Sequence, residues 1–370
     1  MKLFECRPSL HGYAGLEAFL GDMGVGRGDL ILTHRALLED ERLANGAQVL
    51  YQEACGEGEP TCAMLLSLLN AAKRPYRRVL GIGGGTVLDL AKLLSLDYAP
   101  CESDDTVLRL FDGSRAARKA CPVVLAPTTC GTGSEVTAVA VLLFERLNVK
   151  LGMADAALYA QAAALIPSLL HTLPYKPFAL SAIDALIHAC ESFVSPRATR
   201  ITRLFSANAL RQALGVLAAS PARKPDADGL AALLEASTLA GIAFDNAGCG
   251  AVHALSYPIG GLCHLPHGEA NYLVFLPVLR FYEARAERAP LEALKAVLGD
   301  AMNCPPGRAF DALEALLGRL YPRRTLAQAG VTGAMLPQMA KDVAARQQRL
   351  LSTAMCALTE RDLLAIYQQA

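Results

Sequence analysis

The sequence predicts an α/β domain built on a parallel sheet, followed by an all-α domain. Three observations predict it. Over roughly the first 165 residues, short apolar runs closed by turn residues alternate with helical periods. From about residue 167 strand signals nearly vanish, and Ala- and Leu-rich helical periods take over. At 370 residues the chain also exceeds what one hydrophobic core usually serves. The boundary is placed after Ile166, giving domains of 1–166 and 167–370.

The strands come in order. Leu30 to Thr33 is a short β run, and Ala47 to Tyr51 is another. Val79 to Ile82 leads into glycines, and Val123 to Ala126 leads into a Pro-Thr-Thr turn. Each is short, apolar and closed by turn residues, as buried parallel strands are. Helical periods lie between them at Cys62 to Ala72 and Val87 to Leu96. Beyond the boundary, Leu180 to Phe193, Thr202 to Ala218, Gly229 to Phe244 and Leu291 to Leu298 carry helical periods. No internal repeat or low-complexity segment interrupts the chain.

Composition narrows the function. Hydrophobic residues make up 53% and charged residues 19%, a globular composition. Lys+Arg and Asp+Glu are both 35, so nothing attracts nucleic acid or an anionic membrane over long range. The 11 cysteines are scattered without a CxxC pair, which fits reduced thiols rather than a disulfide framework. The first residues lack the apolar core of a signal peptide, and the apolar runs are read as too short to span a membrane. A cytoplasmic protein with no nucleic-acid or membrane partner is expected.

Two loops follow predicted strands. Gly83-Gly84-Gly85-Thr86, with Asp89 one turn later, opens a helix. Consecutive glycines allow close approach of a ligand, and free N–H groups at the helix start favour a phosphate. The spacing is not GxGxxG, and a tight β–α turn without a ligand remains the alternative. The second loop, Thr128-Thr129-Cys130-Gly131-Thr132-Gly133-Ser134-Glu135, offers hydroxyls and glycines to a pyrophosphate and ribose. Its alternative is a polar loop capping a helix through Ser134 or Thr132. Taken together, the loops end two parallel strands, at the sheet edge where open α/β folds bind nucleotides.

The helical half carries the other candidates. Asp184 and His188 are four residues apart in a helical period, so they share a face. The segment from Gly250 to Gly268 holds three of the chain's seven histidines: His253, His264 and His267. Imidazoles with one carboxylate suit Fe²⁺ or Zn²⁺. The alternative is an Asp/His hydrogen-bonded pair with unrelated core or loop histidines.

At this point the motifs coincide with a known family. Gly83 to Thr86 with Asp89, Thr128 to Glu135, Asp184 to Ala189 and Gly248 to Gly268 resemble the iron-containing (group III) alcohol dehydrogenases over nearly the whole chain. The resemblance implies a metal held by Asp184, His188, His253 and His267, with Fe²⁺ expected and Zn²⁺ able to compete. It implies NAD contacts from Gly83, Gly84, Gly85, Thr86, Asp89, Thr128, Thr129, Ser134 and Lys150, in a cleft between an α/β dinucleotide-binding domain and a helical domain. A homodimer that interconverts a small primary alcohol and its aldehyde is implied too. Within the family, His253 to Gly261 and Pro266 to Leu273 are most similar to members acting on 4-hydroxybutyrate, against the alternative of a general short-chain alcohol such as 1-propanol.

Two departures from the family pattern stand out. Tyr257 occupies a position, four residues after His253, where many members have a second histidine near the nicotinamide; Tyr257 therefore joins the four ligands among the candidate catalytic residues. Thr33 is followed by His34 and Arg35 where many NAD-using members have an Asp. Dehydroquinate synthase and glycerol dehydrogenase resemble the same architecture, but the Asp/His/His/His pattern favours the iron-type branch. A non-enzymatic nucleotide-binding or filament-forming subunit is the remaining alternative.

Overall fold

A computed structural model of the chain describes residues 3–99, 103–285 and 288–370. The chain divides into two compact units. One is an α/β unit of residues 6–129 and 133–173. The other is a helical unit of residues 174–370, joined by the N-terminal residues up to Glu5 and by Cys130–Thr132.

The α/β unit runs β1 (Ser9–Gly12), α1 (Leu16–Asp22), β2 (Asp29–Thr33), β3 (Gln48–Tyr51), α2 (Cys62–Ala71), β4 (Arg78–Gly83), α3 (Gly85–Leu94), α4 (Asp104–Phe111), β5 (Val123–Pro127), β6 (Val139–Phe144), β7 (Val149–Ala154) and β8 (Ala162–Leu165). Six strands form one sheet in the order β1-β8-β5-β4-β2-β3, every pairing parallel. Numbered from β2, the run β3-β2-β4-β5-β8 follows the 2-1-3-4-5 plan of a doubly wound nucleotide fold, with its switch point between β2 and the glycine-ended β4.

The sheet is covered on both faces because the middle positions of its central strands are apolar on either side. Leu30, Leu32, Val79, Val123 and Leu125 point into one core. The intervening Ile31, Leu80, Ile82, Val124 and Ala126 point into the other. Gly81 and Gly83 let α3 lie directly on β4: an added Cβ would come within 2.6 Å of Ala91 Cβ and Val87 Cβ respectively.

Two strands of this sheet were not anticipated. β1 is mostly exposed and β8 is Ala-Ala-Ala-Leu, so neither carries a strong strand pattern. The antiparallel β6–β7 pair was also unanticipated.

The helical unit contains α5 (Tyr175–Val194), α6 (Arg200–Ala219), α7 (Ala227–Ala247), α8 (Ala251–Cys263), α9 (His267–Arg285), α10 (Arg288–Ala301), α11 (Ala309–Leu320), α12 (Leu336–Arg346), α13 (Gln348–Leu351) and α14 (Glu360–Gln368). α5 packs against α6, α7 and α9. One expectation is corrected here: α5 and α7 are both long and apolar enough to cross a membrane. The most apolar stretch of α5 is 89% buried inside the protein, which accounts for its composition.

Candidate metal centre

Three helices of the helical unit bring four side chains to one point. Asp184 and His188 lie one turn apart on α5. His253 lies in the first turn of α8, and His267 opens α9. One potential ligand atom from each falls within 4.8 Å of all the others. Asp184, His188 and His253 are buried, and His267 is 24% exposed. His264, the third histidine of that segment, ends α8 in a left-handed turn (φ 52°), is exposed, and is not one of the four.

The Nε2 atoms of the imidazoles converge. Those of His188 and His253 are 2.9 Å apart. The Asn271 amide nitrogen lies 3.2 Å from His253 Nε2, 3.1 Å from His267 Nε2 and 2.8 Å from Asp184 Oδ1. A donor group thus sits against three of the atoms that would receive a cation. Metal–nitrogen bonds of about 2.0–2.1 Å in a tetrahedral site place ligand nitrogens roughly 3.3 Å apart. The His188 and His253 rings need separate by only a few tenths of an ångström, and the Asn271 amide swing aside, to admit an ion; the donor set fits a borderline divalent metal.

The far sides of two rings are held. His188 Nδ1 faces Gly131 O at 3.1 Å, and His253 Nδ1 faces Glu191 Oε2 at 2.6 Å. Gly131 has to be glycine here, since a Cβ would stand 2.7 Å from the Ser181 carbonyl oxygen. Burial disfavours a charge on Asp184, but His188, His267, His253 and the Asn271 N–H outweigh it and hold the carboxyl below the ordinary carboxylate range. Tyr257, one turn after His253, is buried with its ring centre 6.4 Å from that of His267.

The remaining candidates belong to the α/β unit. β4 and β5 are neighbours in register, Gly83 opposite Pro127, so their two loops leave the same sheet edge. Thr128 N–H donates to Gly83 O at 3.0 Å, and Thr129 Cγ2 stands 3.4 Å from where a Gly84 Cβ would be. Gly84 caps α3, and Gly85 and Thr86 begin it; Thr86 donates to Gly58 O at 3.0 Å. Asp89 and Ser134 bond each other at 2.6 Å, and the fully buried Lys92 donates to Ser134 Oγ at 2.7 Å. Lys150 on β7 is paired with Glu59.

Comparison with known proteins identifies the family. A model of iron-containing alcohol dehydrogenases matches residues 18–167, and one of the C-terminal region of Fe-containing alcohol dehydrogenases matches residues 178–370. The chain belongs to the iron-containing alcohol dehydrogenase family. This dehydrogenase is 38% identical to the 4-hydroxybutyrate dehydrogenase of Clostridium kluyveri over 374 residues, covering 100% of both chains. It is 31% identical to a 1-propanol dehydrogenase of Salmonella typhimurium, covering 76% of this chain and 72% of that one. Among solved structures, an NADH-dependent butanol dehydrogenase of Thermotoga maritima shares its fold, with a TM-score of 0.83 and 19% identity over 100% of this chain and 98% of the other.

Sequence reading missed Glu191, Asn271, Cys249 and the Gly131 carbonyl. Helical spacing held the signal for two of them. Glu191 is seven residues after Asp184 on the α5 stripe, and Asn271 is four after His267 on α9. Cys249 and Gly131 lie in turns, where no periodicity points to them.

Proposed function

We propose that this dehydrogenase interconverts 4-hydroxybutyrate and succinate semialdehyde with NAD, using Fe²⁺ held by Asp184, His188, His253 and His267. Zn²⁺ fits the same donors. The observation that carries the reading is the convergence of these four ligand atoms in one buried cluster. The full-length similarity to a 4-hydroxybutyrate dehydrogenase supports the substrate. When bound, the metal supplies Lewis acidity toward the substrate oxygen while NAD takes up or returns the hydride.

The chain's own residues do the rest. Three neutral imidazoles and one carboxylate would hold a divalent ion without neutralising it, so the occupied site would favour an anionic substrate oxygen. Tyr257 walls the site beside His267 and keeps water out. Gly83, Gly84, Gly85 and Thr86 offer the start of α3 to the pyrophosphate, with Thr128 and Thr129 beside them. Lys150, held by Glu59, is assigned to the cofactor by the family resemblance. Asp89 and Ser134 act on the cofactor through the loop they hold with Lys92.

NAD is favoured over NADP by the end of β2. Glu53 accepts from Arg35 N–H at 3.1 Å and pairs with His34 Nδ1 at 3.4 Å. The Arg35 guanidinium lies over the Tyr51 ring at 4.2 Å. A carboxylate beside the expected ribose position accepts a 2′-hydroxyl and repels a 2′-phosphate. The protein is read as a cytoplasmic homodimer whose partners are its small substrates, not nucleic acid or membrane.

The general alcohol dehydrogenase reading is favoured by the 1-propanol relative. Measuring kcat/KM for 4-hydroxybutyrate, 1-butanol and 1-propanol, each with NAD⁺ and NADP⁺, separates the two. A site built for the carboxylate prefers 4-hydroxybutyrate on the order of 10²-fold or more. Equal values would sink the 4-hydroxybutyrate assignment, and a higher kcat/KM with NADP⁺ would reverse the cofactor.

A further inference from the structure

We infer that Glu191 is the positioning residue of the metal centre: it fixes the proton of His253 on Nδ1, so that the bare Nε2 lone pair is presented to the metal. The inference rests on the ligand reading above and goes beyond it to a residue that contributes no ligand.

The geometry leaves Glu191 little choice. It lies on α5, on the stripe of Asp184 and His188, and is buried. Oε1 accepts the backbone N–H of Val252 at 2.7 Å. Oε2 faces His253 Nδ1 at 2.6 Å. The carboxylate therefore sits on the first turn of α8, where unpaired N–H groups and the helix dipole favour an anion. Gly250 makes room for it, since a Cβ there would stand 3.1 Å from Oε1. With Oε1 committed to a peptide N–H and Oε2 accepting, the imidazole proton stays on Nδ1. His188 repeats the arrangement with a different acceptor, the Gly131 carbonyl. Carboxylate or carbonyl partners of this kind set the tautomer and basicity of metal-bound histidines.

The isosteric variant Glu191→Gln tests this, because its two ends are chemically unequal. If its oxygen keeps Val252 N–H, its NH₂ group must donate to His253 Nδ1. The ring proton then moves to Nε2, onto the atom that should hold the metal. Two readouts are used: the histidine tautomers from ¹⁵N NMR of chelator-stripped protein, and Zn²⁺ and Co²⁺ affinity by competition with a chromophoric chelator. Expected are a switch of one histidine to the Nε2–H form and about 10- to 100-fold weaker metal binding. Glu191→Asp, which keeps a carboxylate, should recover part of that affinity.

Unchanged tautomer and affinity in folded Glu191→Gln protein would overturn the inference while leaving the ligand set intact. If His267→Ala and Asp184→Asn bind metal as the wild type does, the ligand reading itself fails. A third outcome is also decisive. Glu191, Cys249 and His253 are themselves close enough to hold an ion. A thiolate-to-metal charge-transfer band in the Co²⁺ protein, lost in Cys249→Ser, would make Glu191 a ligand and overturn its positioning role.

Discussion

The Nε2 atoms of His188 and His253 face each other at 2.9 Å. Two lone pairs at that separation repel unless a proton or a cation lies between them. Burial opposes a charge on His188, but Asp184 leads the groups that raise its pKa above the ordinary 6.5. A histidine raised in this way stabilises the fold below about pH 6.5, and its contribution is lost as pH rises through the folded value. Asp184 is held below 3.8, so its contribution is present above that value and lost as pH falls through the folded one. Protein stripped of divalent ions should therefore be most stable between these limits, with Tm falling as the pH is raised beyond them. Added Zn²⁺ should restore Tm most at the higher pH, where no proton has to be displaced. Thermal melts from pH 5 to 9, with and without Zn²⁺, check this; a flat profile without metal would count against it.

His267 is the most exposed of the four proposed ligands and stands at a helix start. His267→Ala should abolish turnover and lose the bound metal, with the far-UV circular dichroism unchanged. Metal analysis after gel filtration, alongside the activity assay, decides it; wild-type turnover by metal-stripped protein would contradict the mechanism.

Lys92 is fully buried and hydrogen-bonds Ser134, Thr137 and the Val139 carbonyl, 3.7 Å from Asp89. Lys92→Met leaves Asp89 without its nearest cation. The expected loss is about 3–5 kcal/mol of stability in urea titration. NADH titration should show weaker binding as well, because the loop after β5 loses its anchor.

Gly131→Ala meets backbone rather than a flexible side chain, with Ser181 O and Cα at 2.7 and 2.8 Å from the new Cβ. The chain must shift, at a cost of about 1–3 kcal/mol. The shift carries the Gly131 carbonyl away from His188, so metal affinity should fall along with Tm. Chelator competition separates this from a general effect on stability, since Gly215→Ala, in open space inside α6, should leave metal affinity unchanged and raise Tm slightly.

Much of this was legible in the sequence. The strands β2, β4 and β5 have apolar middles, and the long helices carry clear periods, so both halves could be named from pattern alone. β8 could not, because three alanines become a strand only between the neighbours that pair with them. Asp184 with His188 was visible as spacing on a helix, whereas His253 and His267 were visible only as part of a histidine-bearing segment and through the family resemblance. That Gly131 and Glu191 would hold the far sides of two rings was not, because both contacts join residues more than 50 positions apart. Asp89 and Ser134 looked like groups turned toward a ligand; their hydrogen bond to each other became visible only with the fold.

The composition of α5 has a consequence for how the protein is made. This helix, apolar enough to enter a bilayer, leaves the ribosome before α6, α7 and α9, the helices that cover it. Until those segments are synthesised, the strip that will carry Asp184, His188 and Glu191 has no partner and is a ready target for chaperones or for self-association. The nascent chain thus exposes this strip while the first two proposed ligands wait for the other two.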